Sequence, residues 1–140
     1  MSKSYVLDAS AVLDFVEDGP GGKRVEQLFK DALLRRARVL MSVLNWGEVF
    51  YHSWQQNGEE SARRLLADLS RLPLELVPVD LSQSLQAGEI KARHKIPYVD
   101  CIAAGLAILH QAVLVTSDRD FEKLGRRVEV LWIERPGHSN

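Results

Sequence analysis

The sequence predicts an α/β fold with a central parallel sheet that is flanked by helices. Short apolar runs of strand length alternate along the chain with longer runs of helical spacing, and parallel sheets are built from that alternation. The chain has 140 residues, of which 46% are hydrophobic. It is therefore predicted to be a single domain, residues 1–140, with one core of ordinary size.

The predicted elements follow one another in a regular order. Strands are predicted where apolar or β-branched residues run together, at residues 4–7, 39–42, 74–77, 112–116 and 128–133. Helices are predicted where apolar residues recur every three or four positions, at residues 10–16, 23–37, 43–56, 59–72, 82–95 and 98–111, with a short helix ending at Leu124. Residues 134–140 are predicted to be a tail or an interface segment.

Composition excludes several classes of protein. The 18 basic residues are balanced by 19 acidic ones, so there is no overall positive field for nucleic acid, and any such site must be local. The single cysteine, Cys101, excludes an internal disulfide framework and a cysteine zinc site, and it suits a reducing cytoplasm. No run approaches the length that spans a bilayer, and no signal-peptide core is present, so a membrane location is not expected.

Four acidic residues are predicted to meet at one edge of the sheet. Asp8 follows the first strand directly, and Asp118 follows the fourth strand by two residues. Asp100 opens a helix after a proline break, and Glu48 lies in the first turns of the helix after the second strand. Because the carboxyl ends of parallel strands share an edge, these carboxylates can converge although they are far apart in sequence.

Converging carboxylates point to a metal site. Like charges raise one another's pKa values, and a divalent cation removes that conflict. Mg²⁺ and Mn²⁺ prefer carboxylate oxygens and bind substrate phosphates. A cation held in this way can activate water for attack on a phosphate. The predicted chemistry is hydrolysis of a phosphate ester or diester.

Each acid also has a structural explanation, which the residues alone leave open. Asp8 and Asp118 can cap the helices that follow them. Asp100 suits the first turn of a helix, where negative charge is favoured. Glu48 can be a solvated helix residue. Asp14, in the first helix, is predicted to lie on the surface.

Basic and aromatic residues suggest further contacts. Two clusters can reach phosphates or merely complement helix C-termini: Arg35, Arg36 and Arg38, and Lys91, Arg93 and Lys95. Trp46, Phe50 and Trp54 form one stripe on the helix at 43–56, on a different side from Asn45, Glu48 and His52. This stripe is either core or the surface that contacts a partner.

The chain resembles PIN-domain proteins, and specifically the VapC-type toxin ribonucleases. Four segments carry the resemblance: Asp8-Ala9-Ser10, Asn45-Trp46-Gly47-Glu48, Tyr98-Val99-Asp100 with Ala103-Ala104 following, and Thr116-Ser117-Asp118-Arg119-Asp120-Phe121. Each segment alone is weak, but four in this order, in a chain of this length, are specific. The resemblance implies a three-layer PIN fold and an endoribonuclease that depends on Mg²⁺ or Mn²⁺. It also implies a small antitoxin partner and a homodimer.

The resemblance assigns a role to each matching residue. Asp8, Glu48, Asp100 and Asp118 match the family's catalytic acids, and the metal ligands among them are Asp8, Asp100 and Asp118. Glu48 would hold or orient a water. Supporting roles by hydrogen bonding fall to Ser10, Asn45 and Thr116, and Asp120 is an additional acid.

Other functions fit less well. A haloacid-dehalogenase-type phosphatase needs a second aspartate two residues after the first, and position 10 is serine. A receiver-like module needs paired acids and a late lysine that this chain lacks, and a non-catalytic PIN-like scaffold is expected to lose acids. The remaining alternatives are a PIN-domain nuclease of RNA processing that is not a toxin, or a different Mg²⁺-dependent phosphohydrolase.

Overall fold

The computed structural model describes residues 3–134, so the predicted tail lies outside the described residues except for Glu134. Within that range the strands are β1 (Lys3–Leu7), β2 (Ala37–Ser42), β3 (Glu75–Val77), β4 (Val113–Thr116) and β5 (Val130–Trp132). They form one sheet in the order β3-β2-β1-β4-β5, and each neighbouring pair is parallel. The predicted α/β fold with a central parallel sheet is confirmed.

Helices cover both faces of the sheet. They are α1 (Ala9–Val16), α2 (Gly22–Leu33), α3 (Val43–Asn57), α4 (Glu59–Leu69), α5 (Leu81–Arg93) and α6 (Tyr98–Leu109), with a 3₁₀ segment at Arg119–Arg127. None of the helices in residues 3–134 is both long and apolar enough to cross a membrane.

The core is split by the sheet into two apolar clusters. Val6, Leu40 and Leu114 point to the side covered by α5 and α6. Their chain neighbours Leu7, Met41 and Val115 point to the side covered by α1 to α4. This alternation is the period of a strand, and a strand with apolar residues on both faces is the mark of a sheet buried on both sides.

The end of α2 differs from the prediction. A helix was expected to continue through residue 37, but α2 ends at Leu33 and β2 already begins at Ala37. Arg35 adopts a left-handed conformation with φ of 59°. The Arg36 N–H then reaches back to the Asp31 carbonyl at 2.8 Å, which closes the helix end.

Asp14 is fully buried, and the prediction of a surface position was wrong. It packs against Gly21 in the loop before α2, close to Ile133 just after β5. A Cβ built on Gly21 would overlap Asp14 Oδ2 and would lie 2.8 Å from Ile133 Cβ. These contacts are long-range, so the periodicity of α1 gave no sign of them.

The aromatic stripe on α3 was predicted to be either core or a surface that contacts a partner, and the structure shows some of each. Trp46 is half-buried and packs against the core beneath α3. Phe50 is half-buried, whereas Trp54 is 40% exposed. The Phe50 and Trp54 rings meet edge to face, and the Arg63 guanidinium lies 5.4 Å from the Phe50 ring centre. One end of the stripe is therefore core, and the other end is accessible surface.

Candidate active site

Asp8 is held at the end of β1 by three hydrogen-bond donors. Its Oδ1 accepts from Ser10 Oγ at 2.7 Å and from the Ala11 N–H at 3.0 Å, and its Oδ2 accepts from Thr116 Oγ1. The carboxylate is only 3% exposed. Burial raises the pKa of Asp8 to about 6, although the three donors oppose the shift. Asp8 thus caps α1 and also presents its charge at the edge of the sheet.

The same donors fix the end of β4 to the start of α1. Leu7 lies beside Val115 in the sheet, which brings Thr116 next to Asp8. Thr116 Oγ1 accepts from the Asp118 N–H at 2.9 Å, and Ser10 Oγ accepts from the Ser117 N–H at 3.0 Å. Two hydroxyl groups therefore set the positions of Asp8 and Asp118 relative to each other.

A second group of acids has fewer donors, since only Asp118 among them accepts a hydrogen bond within the described residues, from the Asp120 N–H at 2.9 Å. Carboxylate oxygens of Asp100, Asp118 and Asp120 all lie within 4.8 Å of one another. Asp100 is 8% exposed in the first turn of α6, and none of the described residues donates a hydrogen bond to its side chain. Its pKa is raised to about 7, first by burial and then by the charge of Asp118 and the other acids nearby.

Glu48 borders this group from α3. Asn45 Nδ2 donates to Glu48 Oε1 at 2.8 Å, and Asn45 itself is buried. Burial raises the pKa of Glu48, the Asn45 hydrogen bond opposes this, and the charge of Asp118 adds to the rise. Glu48 is thus oriented by a neighbour one helical turn away.

The donor set fits a hard divalent cation. Acidic oxygens from α6 and the 3₁₀ segment converge, and carboxylates this close repel one another unless a cation lies between them. The structure groups the acids differently from the sequence analysis. Asp120, expected as an additional acid, stands among the converging oxygens, whereas Asp8, expected as a direct ligand, lies beside them with both oxygens already hydrogen-bonded.

The two predicted basic clusters lie at different places. Arg35, Arg36 and Arg38 precede or begin β2, so they sit at the amino edge of the sheet, opposite the acids. Arg38 forms a two-pronged pair with Glu75, with N···O distances of 3.0 and 2.8 Å. The structure therefore does not bring this cluster to the acidic edge.

The second cluster is partly engaged. Lys91 Nζ donates to the Ile96 carbonyl at 2.8 Å, and Arg93 pairs with Glu89. Lys95 is exposed in the loop that leads into α6. Its carbonyl accepts from Lys123 Nζ at 3.0 Å, and Lys123 in turn lies 3.7 Å from Asp120.

Sequence reasoning missed the cations of the 3₁₀ segment. Lys123 and Arg119 lie in the segment that follows β4, on the same side as the acids. Their position after a strand was the sequence signal that could have identified them. Arg119 lies 4.4 Å from the centre of the Trp132 ring. Lys123 is thus the cation that contacts the acid group, whereas Arg119 pairs with Glu122 at 3.2 Å.

A groove between α1 and α3 opens from the acid group. One wall of the groove comes from residues spaced three or four apart along α1, and His52 on α3 faces them. The lining residues include Ser10, Leu13, Asp14, Glu17, His52 and Asp118. The groove encloses about 370 Å³. At its rim His52 Nε2 lies 3.5 Å from Glu17 Oε1. The sequence placed His52 on the same side of α3 as Glu48 but gave no sign of the groove that it lines.

Comparison with known proteins gives one family and a set of similar folds. The model of the PIN domain family matches residues 5–127. Comparison with curated protein sequences finds no match.

Solved structures share the fold at low sequence identity. VapBC2 from Rickettsia felis, bound to a DNA fragment from its promoter, matches with 18% identity and a TM-score of 0.73, over 94% of this chain and 99% of that chain. DNA-bound VapBC from Salmonella typhimurium matches with 20% identity and a TM-score of 0.72, over 94% and 98% of the two chains. VapC20 from Mycobacterium tuberculosis, described as a sarcin–ricin loop cleaving toxin, matches with 18% identity and a TM-score of 0.63, over 86% and 95%.

Proposed function

This chain belongs to the PIN-domain family, and we propose that it is a metal-dependent endoribonuclease that acts as the toxin of a type II toxin–antitoxin pair. The observation that carries the proposal is the convergence of Asp100, Asp118 and Asp120, with Asp8 and Glu48 beside them, at the carboxyl edge of the sheet. The similar folds support the choice of RNA and of an antitoxin, since they include VapBC complexes and a toxin that cleaves the sarcin–ricin loop.

Different residues of the chain would hold the metal ion and orient the water. Asp100, Asp118 and Asp120 would hold Mg²⁺ or Mn²⁺, and Asp8 would face the same ion from the hydrogen-bonded side. When bound, the ion supplies Lewis-acid polarisation of a phosphate group and of a water. Asn45 fixes one oxygen of Glu48, which leaves the other oxygen to accept a hydrogen bond from the attacking water.

The proposed substrate is single-stranded or loop RNA. The acids lie on an open edge that is not shaped to read a duplex, and unpaired bases are the usual targets of sequence-selective RNA recognition. Lys123 lies 3.7 Å from Asp120 Oδ1 and donates to the Lys95 carbonyl, so we expect both lysines to contact phosphates near the cleaved bond. The net charge of −1 therefore does not oppose binding, since the positive charge is local.

Two protein partners are proposed as well. A small antitoxin would bind the accessible end of α3 and the facing part of α4, where Phe50, Trp54 and Arg63 form a compact aromatic and cationic surface. Such residues are enriched at the centres of protein interfaces. A second copy of the chain is the other proposed partner.

Cleavage assays test the proposal directly. The purified chain should cleave single-stranded RNA with Mn²⁺ or Mg²⁺ and lose that activity in EDTA. Asp100→Asn should lower the cleavage rate at least about 100-fold, because a metal-ligating carboxylate supports several kcal/mol of charge stabilisation. Asp68→Asn is the matched control, since Asp68 is exposed on α4. Cleavage that persists in EDTA, or at the wild-type rate in Asp100→Asn, would contradict the proposal.

Binding assays with uncleaved RNA test the phosphate path. The double variant Lys95→Gln/Lys123→Gln should bind RNA more weakly, and its dependence on log salt should flatten by about 0.7 for each phosphate that the variant no longer neutralises. The control is Arg35→Gln/Arg36→Gln, which removes the same charge at the opposite edge of the sheet. Equal weakening by both double variants would show that only net charge matters.

A further inference from the structure

The groove between α1 and α3 is continuous with the acid group, because Asp118 belongs to both and Ser10, which lines the groove, donates to Asp8. Ser10, Leu13, Asp14 and Glu17 fall at steps of three or four residues, so they share one face of α1. An RNA strand that places a phosphate at the acids would lead the next nucleotide along this groove. A volume of about 370 Å³ leaves ample room for a nucleobase.

The charge of the groove favours a base over a phosphate. Glu17 stands at the rim, and the Asp14 carboxylate lies beneath the wall, where neither oxygen has a hydrogen-bond partner of normal geometry within residues 3–134. Both carboxylates repel phosphate, and the accessible one, Glu17, can accept hydrogen bonds from the N–H groups of a base edge. Leu13 offers an apolar surface, and the His52 imidazole a planar one, on which a base can rest.

We propose that this groove binds a guanine base next to the cleaved bond, and that Glu17 and His52 select it. Guanine presents an imino N–H and an amino group side by side, so one carboxylate can accept from both. Adenine and cytosine offer a single amino group on that edge, and uracil offers a single imino group. Glu17 is 48% exposed on its side chain and His52 is 39% exposed, so both are accessible to a base. The inference rests on the proposed ribonuclease function.

A randomised RNA pool tests the preference. After limited cleavage with Mn²⁺, the wild-type products should show guanine enriched at one fixed position within about two nucleotides of the cut. Glu17→Gln should lower that enrichment at least about five-fold, the low end for removing a two-pronged hydrogen bond to a base edge. His52→Ala should weaken the enrichment in the same direction.

Glu26→Gln is the matched control, because Glu26 is a similarly exposed, ion-paired glutamate on α2, away from the groove. It should leave the enrichment unchanged. A merely structural role of Glu17 would change the rate or the melting temperature without changing the sequence preference. Cleavage by Glu17→Gln with the wild-type preference would overturn the inference and leave the proposed function standing.

Nucleotide binding separates the two proposals if no RNA is cleaved. A wild-type chain that cleaves no RNA with either metal ion would contradict the proposed function. The groove is then judged by titration with guanosine monophosphate and uridine monophosphate. Guanosine monophosphate should bind at least about five-fold more tightly than uridine monophosphate to the wild type. In Glu17→Gln the two nucleotides should bind with equal affinity. Equal affinity of the wild type for the two nucleotides would overturn the inference.

Discussion

The acidic edge has two halves, one around Asp8 and one around Asp100, and they differ in how the negative charge of a buried carboxylate is compensated. Asp8 is surrounded by donors from Ser10, Ala11 and Thr116, so its charge is partly compensated inside the protein. Asp100 faces Asp118 and Asp120 without a donor among the described residues, so its charge is left uncompensated. The pKa is about 6 for Asp8 and about 7 for Asp100. Burial is the main cause for both, but only Asp100 is also raised strongly by its neighbours.

This difference shows which half is organised before a ligand arrives. The Asp8 half is a fixed part of the fold, because its hydrogen bonds tie β4 to α1. The Asp100 half leaves like charges close together, and the cation that we propose would compensate them. This combination suits a metal-dependent site. The Asp8 carboxylate is already held in place, and the repulsion around Asp100 favours binding of a cation without rearrangement of the chain.

The largest expected effect is the pH dependence of the metal-free protein. Asp8 and Asp100 hold their protons in the folded state at a pH where the unfolded chain, with an aspartate pKa near 3.8, has released them. The folded state therefore binds more protons, and stability falls as pH rises from about 4 through 7, on the order of several kcal/mol. Urea unfolding in EDTA at pH 5 and pH 8 measures this. Millimolar Mn²⁺ should remove most of the loss, and a metal-free protein more stable at pH 8 would contradict it.

The next effect in size distinguishes the two halves by sign. At pH 8 in EDTA, Asp100→Asn removes one of the repelling charges and should raise the free energy of unfolding by about 2 kcal/mol. The same variant should lose most of the stabilisation that Mn²⁺ gives to the wild type. Chemical unfolding with and without Mn²⁺ provides both values. A variant that is less stable than wild type in EDTA would mean that Asp100 is compensated by groups within the chain.

The smallest effect is expected in the hydrogen-bonded half, with the opposite sign. Thr116→Val keeps the volume but removes the hydroxyl that donates to Asp8 and accepts from the Asp118 N–H. It should lower the free energy of unfolding by about 1.5 kcal/mol. Thr116→Ser keeps the hydroxyl and loses only a methyl group, so it should be about 0.5–1 kcal/mol less damaging than valine. If serine and valine were equally damaging, packing and not the donor would be what Thr116 contributes.

The fold was predictable because local signals agreed with one another. Strand-length apolar runs and helical spacing placed the strands and helices, and only their ends shifted, as at Leu33, where left-handed Arg35 stops α2. The placement of Asp8 and Asp118 at one edge followed from parallel strands alone, since each of them comes just after a strand. Strand order did not, because it depends on which apolar faces pack together.

What the sequence did not reveal depends on contacts between distant segments. Nothing in α1 marks Asp14 as buried, because the loop at Gly21 and the end of β5 cover it. The importance of Asp120 depends on where the 3₁₀ segment turns. The position of Arg35, Arg36 and Arg38 was available in principle, since residues that precede a parallel strand lie at the edge away from its carboxyl end.

The contact between Gly21 and Asp14 has a consequence for how this sequence can change. Any side chain at position 21 would occupy the space of the Asp14 carboxylate and press on Ile133. A substitution at one position therefore constrains the other, because alanine at 21 requires both a smaller residue at 14 and a shift of Ile133. Among descendants of this chain, positions 14 and 21 should vary together, seven residues apart in sequence, while the exposed Pro20 beside them varies freely.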